Sequence, residues 1–244
     1  MQWSEEGLII GVRRHGETSL IVETMRAGHG RHLGLVRGGR SGKLRATLQP
    51  GNWVQLNWRA RLEEHLGIFS IELLRPRAAD LMIDRDRLYM GQLLFSHLRL
   101  LPERDPHPRL LDFTLEIIDS SAGFCSRVQM LALFELALLD ELGFGLDLTA
   151  CAVSGQGRGL SHVSPRTGRA VTAFAAGKFV DRLFPLPGFF LNSQAATAGQ
   201  VLEGLEITGH FLQRHIWDAR GISPPMQREQ ILNLLRDNFS AQRL

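Results

Sequence analysis

The sequence predicts an α+β protein, with an N-terminal five-stranded OB-fold barrel followed by an all-helical C-terminal domain carrying a small β-hairpin insertion. Three observations predict it. Five short apolar or β-branched runs, separated by glycine-rich turns, fill residues 7–77. After Arg75-Pro76-Arg77 the apolar residues change to helical spacing. Residues 144–172 lose that spacing and are rich in Gly, Ser and Pro. The expected domains are 1–78 and 79–244, with the loop and hairpin at about 144–172.

The strands are expected at Leu8–Val12, Ser19–Thr24, His32–Arg37, Asn52–Trp58 and Gly67–Leu73. Gly28-His29-Gly30 and Pro50-Gly51 supply turns. Period-two alternation in the fourth run sets Trp53 and Val54 on opposite faces. Of the two tryptophans there, Trp53 reads as the core residue, and Trp58 is open to core or base-stacking use.

Helical spacing runs from Leu81 to Leu101, where Pro102 stops it, and from Leu110 to Ile118. Phe124 to Leu142 is apolar almost all round, the pattern of a central buried helix, with Gly143 as its stop. Ser161 to Val171 reads as a hairpin turning at Pro165–Gly168. Further helices are expected at about 172–183, 193–217 and 224–238, with Ser193 and Ser223 as N-caps and Pro224 in a first turn.

A chain of 244 residues with 44% apolar content can bury a substantial core. No apolar run reaches the ~18 residues a membrane span needs. The opening Met1-Gln2-Trp3-Ser4-Glu5-Glu6 lacks the order of a signal peptide, so a cytoplasmic protein is the expectation. Two cysteines, Cys125 and Cys151, do not make a disulfide framework and read as reduced thiols.

Charge is unevenly placed. Between Gly11 and Arg45 stand Arg13, Arg14, Arg26, Arg31, Arg37, Arg40, Lys43 and Arg45, against only Glu17 and Glu23. That is +6 within a chain whose net charge is +3, so the remainder is acidic by three.

Familiar catalytic motifs fail on spacing. Gly38-Gly39-Arg40-Ser41-Gly42-Lys43-Leu44 has Arg37 where a phosphate loop needs its first glycine and Leu44 where it needs Ser or Thr. The dinucleotide fingerprint that Gly28-His29-Gly30 would open has Leu33 at its third glycine. His29 and His32 show no clustered carboxylate in sequence, and Glu5-Glu6 and Glu63-Glu64 read as solvated faces. No metal and no cofactor are expected.

The basic stretch remains. A glycine-rich loop between barrel strands can lay Arg37, Arg40, Lys43 and Arg45 along a phosphate backbone, with Arg13, Arg14 and Arg31 beside them. A solvated loop without a partner is the alternative. Two other classes compete: a nucleic-acid-processing enzyme such as a nuclease, and a partner-binding scaffold without DNA binding. The first would need clustered acidic metal ligands, and 11–45 offers only two acids.

Several segments resemble RecO, a family of bacterial recombination mediators. They are Glu6–Ile10, Gly16–Val22, Gly28–Arg31, Arg37–Arg40 and Leu48–Pro50, then Phe134–Phe144, Leu146–Gly155, Val163–Val171 and Pro224–Arg228. The resemblance implies an OB-fold and a helical domain, binding to single- and double-stranded DNA, strand annealing, and RecA loading onto strands coated with single-stranded DNA-binding protein (SSB). It implies no enzymatic step, a cytoplasmic and nucleoid-associated location, and partners that include RecR and the acidic C-terminal tail of SSB. For that tail an apolar cleft rimmed by cations is expected, with Arg127, Arg214 and His215 as candidates.

One departure stands out. Many relatives carry two Cys-x-x-Cys pairs after the central helix, whereas here Cys151 is followed by Ser154 at the partner position and the second pair is missing. One thiolate cannot hold structural zinc. Apolar packing by Val153, Val163, Val171 and Phe174 is expected to hold this loop instead.

Overall fold

A computed structural model describes residues 1–62, 64–192 and 194–241. The chain forms two compact units, Met1–Ile118 and Asp119–Leu244.

The first unit begins with five strands: β1 (Gln2–His15), β2 (Ser19–Arg26), β3 (Gly30–Val36), β4 (Trp53–Arg59) and β5 (Ile68–Arg75). They close into a barrel in the order β1-β2-β3-β5-β4. All pairings are antiparallel except β3 with β5. This is the strand order of an OB-fold. β1 serves both sides of the closure. Its first half, Gln2–Leu8, pairs with β4, its second half with β2, and a register irregularity between Ile9 and Gly11 bends it from one to the other.

Alternation decides the interior. Val54, Leu56 and Trp58 of β4 point inward with Ile9, Val22, Val36, Leu48 and Phe69. Trp53, expected in the core, is therefore outside it, and Trp58, left open by the sequence, is inside. Trp58 is a core residue whose indole N–H donates to the Leu66 carbonyl at 3.0 Å. Trp53 is half-buried on the outer face and donates to Glu6 at 2.6 Å.

Between β3 and β4 the glycine-rich segment is not loop throughout, because Gly42–Arg45 coils into the short helix α1. After β5 come α2 (Arg77–Leu81), α3 (Arg85–Leu98) and α4 (Pro108–Asp119). The single helix expected at 81–101 is thus divided, with Asp84 as the N-cap position of α3. The expected boundary at 78/79 falls inside α2, after the last strand has ended at Arg75, and the compact unit continues to Ile118.

The second unit is built on α5 (Phe124–Glu141), which buries Val128, Leu131, Phe134, Leu138 and Leu139. The hairpin follows as β6 (Leu160–Val163) and β7 (Ala170–Thr172), and β8 (Phe184–Pro185) adds a third strand in the order β7-β6-β8. α6 (Ala173–Ala176) continues as a 3-10 helix, Gly177–Arg182. α7 (Ala198–Leu212) starts later than expected because Thr197 and Gln200 form a capping box. The N-cap expected at Ser193 lies outside the described residues. A π-helical turn, Gln213–Trp217, leads to α8 (Asp218–Arg220), and α9 (Met226–Ala241) closes the chain. No helix among the described residues is long and apolar enough to cross a membrane.

Candidate nucleic-acid interface

Four of the expected DNA-binding cations converge. Arg13 and Arg14 at the end of β1, Arg40 in the loop after β3, and Arg45 of α1 line one groove of about 560 Å3. Val12, Leu20, Gly39 and Leu48-Gln49-Pro50 supply its remaining wall. Folding brings them together because β1 and β3 both flank β2. Arg40 is fixed there: its guanidinium donates to the Glu17 carbonyl and its backbone N–H donates to Thr18 at 3.1 Å. Arg37 and Lys43 are exposed on the same loop and helix, outside the lining.

Among the described residues, none of Arg13, Arg14, Arg37, Arg40, Lys43 and Arg45 pairs with a carboxylate. Side chains so placed keep their charge available to a polyanion.

Arg31, expected beside these cations, stands apart from the groove lining. It donates to Glu23 and, at 3.0 Å, to the Leu101 carbonyl, and lies 3.7 Å from Glu103. Its position on β3 turns it toward the segment after α3, where it ties barrel to helices. Arg26, which contributed to the charge count, is also internal. It is fully buried, pairs with Glu5 at 3.2 Å and covers the Trp3 ring at 3.7 Å. Burial, opposed by Glu5, lowers its pKa to about 10.

Glu5 is not a solvated acid. Its carboxylate meets Arg26, the His29 Nδ1 at 2.6 Å and the Gly28 N–H at 2.7 Å. The carboxylate missing beside His29 in sequence therefore arrives from β1. No group of three or more His, Cys, Asp or Glu positioned for a metal occurs among the described residues.

The three cations expected at an SSB-tail cleft divide. Arg127 is 7% exposed and donates to the Ala122 carbonyl, so it lies inside the start of α5 and not on a rim. Arg214 is exposed, yet donates to the Pro165 and Arg166 carbonyls, both at 3.1 Å. His215 stacks on Phe144, with 4.7 Å between ring centroids. Burial, then Arg214 and His210, lower its pKa.

Those contacts show what holds the hairpin. Val163 and Val171 are buried as expected, but Val153 and Phe174 are not, Phe174 being 97% exposed. Polar ties replace them. His210 joins Arg214 on the hairpin turn, with its ring nitrogen 2.9 Å from the Pro165 carbonyl. Asp147 pairs with Arg169 at 3.2 Å. The buried Cys151 thiol accepts from the Thr172 N–H at 3.4 Å, and hydrogen bonds led by the Ser154 side chain lower its pKa to about 6.

Two features of the first unit escaped the sequence. Trp3 lies before the first expected strand, though the alternation of Gln2, Ser4 and Glu6 with Trp3 and Glu5 is visible once β1 is extended. Arg104, the only non-glycine residue with positive φ (64°) among those described, had no signal at all.

Comparison with known proteins divides the chain soon after the last barrel strand, not at the boundary of the compact units. Residues 1–77 match the family model "Recombination protein O N terminal" and residues 83–220 match "Recombination protein O C terminal". A DNA repair protein RecO of Chelativorans sp. (strain BNC1) is 48% identical over 98% of this chain and 97% of its own length. One of Methylobacterium nodulans is 48% identical over 96% and 98%, and one of Brucella abortus is 46% identical over 96% and 95%. The chain belongs to the RecO family of DNA repair proteins.

Proposed function

We propose that this chain is a non-enzymatic DNA-binding recombination mediator that holds single- and double-stranded DNA by its phosphates in the barrel groove. The observation that carries this reading is the convergence of Arg13, Arg14, Arg40 and Arg45 on one groove without a carboxylate partner. Arg37 and Lys43 extend the positive field along its edge. Phosphates neutralised there release counterions, and a strand with reduced charge can approach its complement. Annealing then needs no bond to be made or broken and no nucleotide to be hydrolysed.

In the same reading the second unit docks proteins, RecR and the SSB tail among them, so that RecA can be loaded onto SSB-coated strands. The tail would lie against Phe144, His215 and Arg214, where an apolar ring face and a cation adjoin. Arg127 has no part in this placement. DNA binding would hold the molecule at the nucleoid.

The test is the salt dependence of single-strand binding. The slope of log affinity against log salt should be about −0.7 for each phosphate neutralised. Arg13→Ala, Arg14→Ala, Arg40→Ala and Arg45→Ala combined should reduce it by about 3 on the same scale. A flat salt response overturns the groove, and magnesium-dependent cleavage of a labelled strand overturns the non-enzymatic reading.

A further inference from the structure

The start of β1 holds an aromatic cluster that the basic groove does not use. Trp3 lies parallel to Trp58 and to His29, each 5.5 Å away between ring centroids. His32 stands edge-on to both indoles at 5.3 and 5.2 Å. A hollow of about 410 Å3 opens among Trp3, Trp58, Gly28, His29, His32 and Arg104, within the ~300–1,000 Å3 range of small-ligand sites. A second hollow, of about 480 Å3, shares Trp3 and Trp58 as its wall.

His32 makes this more than core packing. It is 4% exposed, and neither ring nitrogen has a hydrogen-bond partner among the described residues. Burial first, then the charges of Arg26, Arg104 and His29, lower its pKa to about 3. The ring is therefore neutral, with one donor and one acceptor. A buried polar group left unmatched costs about 1–3 kcal/mol, a cost that a hydrogen-bonding ligand in the hollow would remove.

The walls select the ligand. Glu5 sits behind His29, paired with Arg26 and outside the lining, so the hollow itself is walled mainly by aromatic ring faces. A flat ring with polar edges matches such walls. His29 presents a half-exposed face for stacking, and Arg104, whose guanidinium donates to the His65 carbonyl at 3.2 Å, stands at the rim.

We propose that this hollow receives one unpaired base of a DNA single strand, stacked against the His29–Trp3 wall with its polar edge toward His32. The proposal rests on the reading of the groove as the phosphate site and adds a base site to it. Trp3 and Arg13 lie ten positions apart on β1, at most ~34 Å of extended strand, and an OB-fold commonly covers about 4–16 nucleotides. A duplex has no free base to offer, so the hollow gives the barrel a preference for single strands.

The test uses the full-length protein with three probes: a thymidine 16-mer, the same strand with abasic sites in place of its bases, and a duplex of equal length. The wild type should bind the base-bearing strand roughly 5- to 150-fold more tightly than the abasic one. His29→Ala, at an exposed position, should bring that ratio toward one while leaving duplex affinity and both salt slopes unchanged. Photocrosslinking of a 5-iodouracil strand to wild-type protein supplies a readout that needs no variant, and should mark the peptides containing Trp3 or His29. Equal binding of the base-bearing and abasic strands, a ratio unmoved by His29→Ala, or crosslinks confined to the groove each overturn the base site. A flat salt response with the ratio intact would instead remove the groove and leave this hollow standing.

Discussion

Glu135 on α5 and Arg228 on α9 form a bidentate ion pair inside the second unit, at 2.9 and 3.0 Å, with Glu135 fully buried. Thr208 of α7 donates its hydroxyl to the same carboxylate, and Arg228 also donates to the Leu205 carbonyl. Burial alone would lower the Arg228 pKa, but the charge and hydrogen bonds of Glu135, with Glu229, raise it overall. Two segments that carried the resemblance to RecO thus meet across 93 positions of sequence. Arg228→Ala should cost about 3–5 kcal/mol, because it strands a buried carboxylate. Glu135→Met combined with Arg228→Leu should recover much of that loss. Urea unfolding of the single and double variants checks this, and a double variant no more stable than Arg228→Ala would contradict it.

Gly30 and Gly38 share a positive φ, 61° and 63°, but not an environment. A Cβ on Gly30 would lie 1.8 Å from the Asp105 carbonyl oxygen, whereas one on Gly38 meets nothing within 4 Å. Gly38→Ala should therefore cost only the left-handed backbone penalty, about 1–2 kcal/mol. Gly30→Ala must in addition push the 103–105 segment away from β3, where Arg104 N–H donates to the Arg31 carbonyl at 2.8 Å. Thermal melting should rank Gly30→Ala well below Gly38→Ala, and equal losses would count against the contact.

His32 makes barrel stability depend on pH. Its folded pKa, about 3, lies below the ordinary value of 6.5. Between those values the unfolded chain binds a proton that the barrel refuses, so stability rises with pH across the window and is lost as pH falls through it. The loss is about 2 kcal/mol by pH 5, at ~1.4 kcal/mol per pH unit. His32→Phe should remove this component, giving a shallower stability profile between pH 7 and pH 5 than the wild type. Parallel profiles would assign the acid sensitivity to other groups.

Arg31→Ala separates stability from DNA binding. Arg31 contacts Glu23 and the Leu101 carbonyl, and Glu23 also receives Arg99 at 2.9 Å. Its removal should lower the melting temperature and leave the salt slope for DNA close to wild type. Arg13→Ala should do the reverse, since Arg13 is exposed and pairs with no carboxylate among the described residues. A reduced slope in folded Arg31→Ala would return that residue to the interface.

Arg214→Ala should loosen the hairpin. Two carbonyls of its turn lose their donor, and a net ~1.5–3 kcal/mol for hydrogen bonds to a charged group sets the scale of local destabilisation. Hydrogen exchange should speed at Gly168 and Ala170 while amides in the middle of α5 keep their protection. Uniform acceleration across the unit would mean that the turn and the core open together.

The strands were legible because period-two alternation and glycine turns are local properties of the chain, and Val54, Leu56 and Trp58 obey them. The long apolar α5 was legible for the same reason. The extension of β1 back to Gln2 was not, since Glu5 and Glu6 look solvated until folding brings Arg26 and Trp53 to them. The break before α3 was also obscured because Leu81, Met82 and Ile83 carry apolar character up to the cap, and the late start of α7 because Ser193 offered an earlier residue of N-cap type than Thr197.

By itself the sequence determined the order of the elements, the surplus of cations near the amino end and the family. Only the tertiary structure decided which cations remain available. Arg31 and Arg40 stand in one basic run, yet one is tied to Glu23 and the other lines the groove with Arg13, Arg14 and Arg45. Formal charge is a property of the residue, whereas its field at the surface depends on the carboxylates, carbonyls and solvent that folding places around it. The same holds for the Trp3, His29, His32 and Trp58 cluster, whose members come from three strands and a turn and acquire a shared hollow only when the barrel closes.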